Sequence, residues 1–354
     1  MKFNDRDIHI EWHDGILTLE NASIRRRIDW RCGMPRTIEF GPPGVHLHRA
    51  DETFDLALAG FPAPGAPESK TDYHTGAVRV AKLPPRDGDG MKVTVESIET
   101  IRRLRLCVAY ILYPGLPVIA CETEWQSAVT PMLFWARRHD EEFNRMRGFS
   151  DLHTVTDRLC LPDFRVTESV EFRMRTDYND EPVLRHEYDN QGSAVGNILF
   201  AHDQAGREFF CLQEAPPSEE RRDQQAYDFL IGGNGEVASL GSGINPEDIV
   251  PAALLRTNRV IMGVAANGDA QALIRRYLAA RQPCQPHGTH GLVRRAAAGA
   301  GDAADRHRQR GAAARAGTTG HGLDHLATDR TLHGEQCFRH AQQQALLPVG
   351  VGDI

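Results

Sequence analysis

All but one of the Phe, Tyr and Trp side chains of this chain lie before Pro283, and this limit decides how much of the chain can build a hydrophobic core. All four Trp, all seven Tyr and thirteen of the fourteen Phe lie within residues 1–283. Residues 284–354 contain one Phe (Phe338), one Ile (Ile354), no Lys and seven of the sixteen His. A domain must bury apolar surface to offset the chain entropy lost on folding. We therefore predict a folded region that ends near Pro283 and a largely disordered tail over residues 284–354.

The first 265 residues carry the period-two alternation of apolar and polar side chains that is typical of β-strands. Gly and Pro turn signals separate the alternating segments, for example at Gly41-Pro42-Pro43 and at Asp87–Gly90. Many short strands without a long helix between them predict a mainly β protein, built as an antiparallel sandwich. The segments with the clearest strand pattern are 16–30, 91–100, 104–114, 116–127, 169–178, 197–203, 207–215 and 258–265.

One helix is predicted, over residues 269–282. Asp269 is a suitable N-cap and Pro283 ends the run. Residues 134–152 are predicted to form a loop. The helix is expected to pack through a face formed by Ala272, Leu273, Tyr277 and Leu278.

Charge and composition exclude several functional classes. The net charge of −7 argues against a nucleic-acid partner. No apolar run approaches the length of a membrane span, and the polar N-terminus does not resemble a signal peptide. The seven Cys are scattered without a CxxC pair, so they indicate neither a zinc site nor a disulfide framework. Gly232–Gly235 is interpreted as a turn and not as a phosphate-binding loop, because no Gly-Lys-Ser/Thr follows it and no helix begins there. We expect a cytoplasmic protein with no membrane partner and no cofactor.

Five segments, in order along the chain, resemble the N-terminal domain of the α-galactosidase (melibiase-like) glycoside hydrolases. The resemblance implies a β-supersandwich of the galactose mutarotase type over residues 1–267. It also implies a linker helix over 268–283 that leads into a (β/α)₈ barrel. The segments are VTESVEFRMRTDYNDEPVLRHEY (166–188), GNILFAHD (196–203), FFCLQEAPPS (209–218), LGSGINPEDI (240–249), and NRVIMGVA (258–265) with the helix ALIRRYLAARQP (272–283).

Residues 284–354 do not resemble the start of that barrel, but a shifted reading frame does. Codons for Asp305–Leu323, read one base later, permit IDIDSEALLRELERLGTDW, an amphipathic helix similar to the family's first barrel helix. In the same frame Cys337–Gly352 permits AFGTHNNKPFFPLGWE, and Gly288–Arg294 permits a Trp followed by Cys-Asp. We therefore interpret the tail as frame-shifted from near residues 284–290, and the chain as truncated before its catalytic barrel.

The resemblance also implies where catalysis would occur. Glycoside hydrolysis normally uses two carboxylates placed across the scissile bond. In the resembled family both are aspartates of the barrel, beyond the end of this chain. We therefore expect no catalytic residue here and no hydrolase activity, and we interpret Asp177, Asp180 and Glu187 as turn-capping or solvated charges.

Two other kinds of site remain as alternatives. Mutarotases of the same fold type use His and Glu as acid and base, although no His pair here has an assignable spacing. His46 and His48 share one face of a predicted strand, but without a third ligand we expect no metal. The mutarotase candidates are His139, His153, His186 and His202, with Glu214 as the base.

Carbohydrate is the expected ligand class, and Trp30, Trp125, Trp135 and Tyr178 are the aromatic candidates for stacking on a sugar ring. Trp125 is expected in the core, which leaves Trp135 as the best exposed candidate. The alternatives to a glycosidase domain are a free-standing carbohydrate-binding module and an aldose mutarotase or epimerase. The surface that would face the barrel is also expected to promote self-association.

Overall fold

The structure of the protein is a computed structural model that describes residues 1–58, 72–100, 103–127, 154–172, 183–188, 192–214, 228–241, 254–266 and 268–281. The predicted loop over 134–152 and the predicted tail over 284–354 lie outside these residues. The fold-class prediction is confirmed, because the described residues form antiparallel β-sheets followed by a single helix near the end of the described chain.

The first sheet is a five-stranded antiparallel meander in the order β1-β2-β3-β4-β5. A turn follows Glu20, where the side chain of Asn21 accepts hydrogen bonds from the backbone N–H groups of Ser23 and Ile24 at 2.8 and 2.9 Å. Such an Asx turn satisfies backbone donors that the sheet leaves free. The strands are β1 (Lys2–Asp5), β2 (Ile8–His13), β3 (Ile16–Glu20), β4 (Arg25–Asp29) and β5 (Arg36–Gly41).

The largest sheet has ten strands, in the order β12-β11-β14-β15-β19-β9-β8-β7-β6, with β18 also paired to β9. All of its pairings are antiparallel. The strands are β6 (Tyr73–Lys82), β7 (Met91–Glu99), β8 (Leu104–Leu112), β9 (Val118–Ser127), β11 (Phe164–Phe172), β12 (Val183–Glu187), β14 (Ile198–Asp203), β15 (Glu208–Gln213), β18 (Leu255–Arg256) and β19 (Val260–Ala265).

A third sheet has four strands in the order β10-β17-β16-β13. Its strands are β10 (Val155–Cys160), β13 (Gly192–Ala194), β16 (Phe229–Ile231) and β17 (Glu236–Leu240). One large hydrophobic cluster joins residues of all three sheets. The two smaller sheets therefore pack on the inner face of the ten-stranded sheet, and β7 shows the alternation that this requires. Met91, Val93 and Val95 are fully buried there, whereas Lys92 and Thr94 lie on the other face.

The predicted helix is present as α1 (Ala270–Arg281), and it covers part of the outer face of the large sheet. The N-cap prediction is confirmed, because the carboxylate of Asp269 accepts the N–H of Ala272 at 2.7 Å. One face residue is corrected, since Ala272 is only half-buried while Ala270 and Ile274 are fully buried. Among the described residues, no helix has the length and apolar character that crossing a bilayer requires.

The turn at Pro85–Asp87 approaches the C-terminal end of α1 so closely that a glycine is required next to it. Gly88 has φ +93°, and a Cβ there would lie 2.2 Å from the carbonyl oxygen of Ala280. Glycine alone combines this backbone conformation with the absence of a side chain. The contact fixes the end of the helix against the sheet edge.

Candidate functional site

A buried ionic cluster lies where α1 ends on the outer face of the large sheet. Three side chains form its centre. Glu214 follows β15, Arg259 precedes β19 and Arg281 is the last residue of α1. The two strands are antiparallel neighbours, and the backbone N–H of Glu214 donates to the carbonyl of Arg259 at 2.9 Å. The sheet register therefore brings Glu214 and Arg259 side by side, and the helix supplies Arg281.

Glu214 joins the helix to the sheet through both carboxylate oxygens. Nη1 of Arg281 pairs with Oε2, and the hydroxyl of Tyr277 donates to Oε1. Nη1 of Arg259 lies 3.8 Å from the same Oε1. The side chains of Glu214 and Arg281 are 7% and 8% exposed, so these interactions form in a region of low dielectric.

The cluster continues along β9 and β7. Nε and Nη2 of Arg259 donate to Oε2 of Glu122 at 3.2 and 3.0 Å, and Lys92 pairs with the other oxygen of Glu122. Burial alone would raise the pKa of Glu122, but the charges of Arg259 and Lys92 lower it below its ordinary value. Glu122 is therefore ionised at neutral pH.

Two tyrosines close the cluster on its apolar side. The rings of Tyr113 and Tyr277 pack edge to face with centroids 5.5 Å apart. Burial raises the pKa of Tyr113 to about 12 and that of Tyr277 well above its usual value. Both hydroxyls keep their protons at neutral pH and act as donors, to the backbone oxygen of Asp87 and to Glu214 respectively.

A second buried ionic centre lies in the core between the sheets. The guanidinium of Arg26, on β4, binds the carboxylate of Asp157 on β10 through two hydrogen bonds of 2.6 and 2.9 Å. It also donates to Asp55 at 3.1 Å and to the hydroxyl of Thr37 at 2.9 Å. The Arg26 side chain has no exposed surface. This centre links two sheets and the segment that contains Asp55.

The charges of this core centre do not cancel if every group is ionised. Burial, and then the nearby charge of Asp157, raise the pKa of Asp55, while Arg26 and Thr37 oppose that rise. Arg26 also lies 5.4 Å from the ring centroid of Tyr110, within the range of a cation–π contact. Arg26 has no exposed surface and the Asp55 and Asp157 side chains are almost fully buried, so we assign this centre a structural role.

The two described histidines that the sequence offered as acid or base, His186 and His202, pair with carboxylates other than Glu214. Nε2 of His186 lies 3.0 Å from the carboxylate of Glu171, and Nδ1 of His202 lies 3.2 Å from that of Glu208. Glu208 begins β15, whereas Glu214 follows its other end. His139 and His153, together with Asp177 and Asp180, lie outside the described residues. The acid–base arrangement of a mutarotase is therefore not assembled by the described candidates, and Glu187 is exposed on β12.

His46 and His48, the two histidines considered as metal ligands, lie in different environments. The prediction that they share one face of a strand is wrong, because β5 ends at Gly41 and no strand follows at His46 or His48. His46 is exposed, and both ring nitrogens of His48 bond to backbone groups. Within the described ranges, no group of three or more His, Cys, Asp or Glu could hold a metal ion.

Two of the four aromatic candidates are core residues. Trp125 is 1% exposed, as expected, and Trp30 is fully buried, so neither is available to stack on a sugar. Trp135 and Tyr178 lie outside the described residues. Trp125 belongs to β9, Trp30 directly follows β4, and both are part of the large hydrophobic cluster.

Sequence reasoning missed most members of the two ionic centres. Arg26, Asp157, Arg259 and Arg281 were not candidates, and Tyr277 was assigned only to the apolar face of the helix. A signal existed for Arg26. Ile24 and Ile28 are buried at the same parity on either side of it, so Arg26 occupies an inward position of the strand pattern. Its partner Asp157 is 131 residues away in the sequence, and no local pattern indicates that pairing.

The hydroxyl of Tyr277 gives a test of how firmly the helix is held. We expect Tyr277→Phe to lower the free energy of unfolding by about 2 kcal/mol, because a buried hydrogen bond to a carboxylate is lost while the ring packing stays. Chemical denaturation measures the loss. Tyr188→Phe is the control, since its hydroxyl accepts a bond from the backbone N–H of Val195 rather than donating to a carboxylate. Equal losses in the two variants would contradict the anchoring role of Glu214.

Comparison with known proteins gives similarity in structure only. No family model matches the chain, and no curated protein matches it. The α-galactosidase AgaB from Geobacillus stearothermophilus is 13% identical with a TM-score of 0.46, and 77% of this chain covers 43% of that structure. The galactosidase domain of an α-galactosidase–sucrose kinase, AgaSK, is 9% identical with a TM-score of 0.43, and the match covers 76% of this chain and 43% of that structure. The α-N-acetylgalactosaminidase NagBb from Bifidobacterium bifidum is 9% identical with a TM-score of 0.36, and the match covers 79% of this chain and 38% of that structure. The chain spans less than half the length of each of these structures.

Proposed function

We propose that residues 1–267 are the non-catalytic N-terminal β domain of a glycosidase that resembles the α-galactosidases. The support comes first from the order of the family-like segments. The strand parts of these segments coincide with β11, β14, β15 and β19, and the final one is followed by a helix. A mainly β domain that ends in one docked helix is the arrangement that the resemblance implies.

The single observation that carries the proposal is the anchoring of α1. Glu214, Arg259, Tyr277 and Arg281 hold the last turn of the helix against the sheet, and Gly88 closes on it from the other side. This anchoring fixes the point at which the chain leaves the β domain. A linker helix over residues 268–283 that leads into a catalytic barrel needs such a fixed exit, whereas a free-standing sugar-binding module does not.

Three buried carboxylates among the described residues are already paired with cations. Asp55 and Asp157 face Arg26, and Glu214 faces Arg281. A pair of carboxylates that cleaves a glycosidic bond must reach the substrate from both sides. We therefore assign hydrolysis to the barrel and expect no turnover from the chain as it stands.

The proposal includes the shifted reading frame after residue 283. If the gene is read one base later from near codons 284–290, the product should continue into the barrel. We expect that product to hydrolyse a nitrophenyl α-galactoside, and the 354-residue chain to leave the same substrate unchanged. Sequencing the gene and assaying both purified products are the measurements.

Three results would decide against this proposal. Early stop codons in the shifted frame would remove the predicted barrel, and turnover by the 354-residue chain would place the chemistry in the β domain. Rapid equilibration of fresh α-galactose in a polarimeter would favour a mutarotase instead. Saturable sugar binding by calorimetry, with a shifted frame that encodes no barrel, would favour a carbohydrate-binding module.

A further inference from the structure

We propose that Asn234 is a site of covalent modification, at which the side-chain amide reacts with the backbone nitrogen of Gly235 and is converted to aspartate and isoaspartate. The residue lies in the turn 232–235, which joins β16 to β17 of the four-stranded sheet. Water is the only other reactant, and the reaction needs only the β domain. The site therefore goes beyond the proposed function and does not depend on it.

The reaction consumes water and releases ammonia. The backbone nitrogen of Gly235 attacks Cγ of Asn234 and loses its proton to solvent. The bond from Cγ to the side-chain nitrogen then breaks, ammonia leaves with a proton from solvent, and a succinimide ring closes. Water opens this ring at either carbonyl, which gives aspartate or isoaspartate. Asparagine is a thermolabile residue, and a following glycine leaves the attacking nitrogen without a neighbouring Cβ.

The side chain of Asn234 is accessible, and it is folded toward the backbone with which it would react. Asn234 is exposed, and its Oδ1 accepts the backbone N–H of Glu236 at 3.1 Å. This Asx turn curls the side chain over the peptide bond that follows Asn234. The same N–H stabilises the negative charge that develops on Oδ1 when Cγ is attacked, as the donors of an oxyanion hole do.

The turn requires the glycine that makes this asparagine reactive. Gly235 has φ +85°, and a Cβ on it would lie 2.4 Å from the carbonyl oxygen of Leu161. The N–H of Gly235 donates to the carbonyl of Gly232 at 3.0 Å, and its carbonyl accepts the N–H of Leu161 at 2.7 Å. The first of these bonds must open before the nitrogen can attack. We therefore expect a slower reaction in the folded chain than in the unfolded chain.

The products differ from asparagine in charge and in backbone length. Oδ1 of Asn234 and Oε2 of Glu236 lie 2.7 and 3.2 Å from the position that a Cβ on Gly232 would occupy. A carboxylate at position 234 would therefore lie close to that of Glu236, and like charges repel. Isoaspartate also adds one carbon atom to the backbone, next to a glycine that is in close contact with Leu161. Conversion is expected to weaken the attachment of this turn to the end of β10.

The other asparagines within the described ranges lack one of the two requirements. Asn21 and Asn197 are buried. Asn4 and Asn258 are exposed, but each is followed by a residue with a charged side chain, which crowds the attacking nitrogen. Asn258 is therefore an internal control for accessibility without a following glycine.

Peptide mass spectrometry of the full chain, incubated under native conditions in mildly alkaline buffer, measures the conversion. Asn234 should gain the mass of an amide-to-acid change several-fold faster than Asn258. An isoaspartyl methyltransferase should then label the Asn234 peptide, and incubation in urea should increase the rate of conversion. If Asn234 stays intact in the folded chain, or converts no faster than Asn258, the proposal is overturned.

Variants test the effect of the modification on stability. After incubation with a reductant present, the wild type should unfold at a lower urea concentration than before, whereas Asn234→Gln should not change, because its longer side chain cannot form the succinimide. Asn258→Gln is the matched control and should age like the wild type. If Asn234→Gln does not fold, Asn234→Ser replaces it, since a hydroxyl can also accept the N–H of Glu236. Equal losses in the wild type and the Asn234 variant would contradict the proposed weakening of the turn.

Discussion

Arg26→Met is expected to lower the free energy of unfolding by about 3–5 kcal/mol, because removing one partner of a buried ion pair leaves its charge uncompensated. The side chain of Arg26 is fully buried and makes four hydrogen bonds, two to Asp157 and one each to Asp55 and Thr37. A loss of this size is a large part of the total stability of about 5–15 kcal/mol that is typical of a folded protein. Urea unfolding followed by the fluorescence of the buried Trp30 and Trp125 measures it.

The adjacent strand residue provides a matched control. Arg27 points to the other side of β4, is 38% exposed and pairs with Glu39 at 3.4 Å. Arg27→Met should therefore cost less than about 1 kcal/mol, as exposed ion pairs do. Adding Asp55→Asn and Asp157→Asn to Arg26→Met should recover part of the loss, since no buried charge then remains. If Arg26→Met and Arg27→Met unfold at the same urea concentration, the core centre does not stabilise the protein as argued.

The strands could be predicted because each one carries its own signal. Period-two alternation marks β3 and β7, where every second residue is buried, whereas β15 and β19 are short apolar runs that are buried on both faces; both patterns are local in the sequence. Strands such as β13 (three residues) and β18 (two residues) are too short to show a pattern. The order of strands in the large sheet was not predicted either, because pairings such as β19 with β9 join residues about 140 positions apart, Val260 with Cys121 among them.

The ionic centres show why the site could be predicted only in part. Glu214 was selected from the sequence as a base, but the structure shows that it accepts from Tyr277 and Arg281. A carboxylate at the end of a strand looks the same in the sequence whether it faces a substrate or a helix. The difference depends on what packs over it, and here that element begins 56 residues later, at Ala270. By contrast, the inward position of Arg26 could have been predicted from the pattern of β4 alone.

Acid is expected to destabilise the protein through His48. Nδ1 of His48 accepts the backbone N–H of Cys160 at 3.0 Å, so the ring proton is on Nε2, which donates to the carbonyl of Thr37 at 3.0 Å. The neutral ring thus bridges the first sheet and β10. Protonation would break the bond from Cys160 and would place a second cation near Arg26.

The direction of the pH dependence follows from these contacts. Burial, and then the charge of Arg26, lower the pKa of His48 from 6.5 to about 4, against the opposing effects of Thr37, Asp51 and Asp157. The unfolded chain takes up the proton first, so the stabilisation is complete above pH 6.5 and is lost as the pH falls toward about 4. At 1.4 kcal/mol per pKa unit this loss is about 3 kcal/mol.

His48→Gln separates this effect from the titration of carboxylates. The variant should be less stable than the wild type at pH 7, but the difference between the two should shrink by about 3 kcal/mol between pH 7 and pH 4, because glutamine does not titrate. His46→Gln is the control, since His46 is 69% exposed and has no backbone partner to lose. Carboxylates such as Glu122 remain in both proteins and cancel in the comparison. Parallel curves for the wild type and His48→Gln would show that His48 is not held in its neutral form.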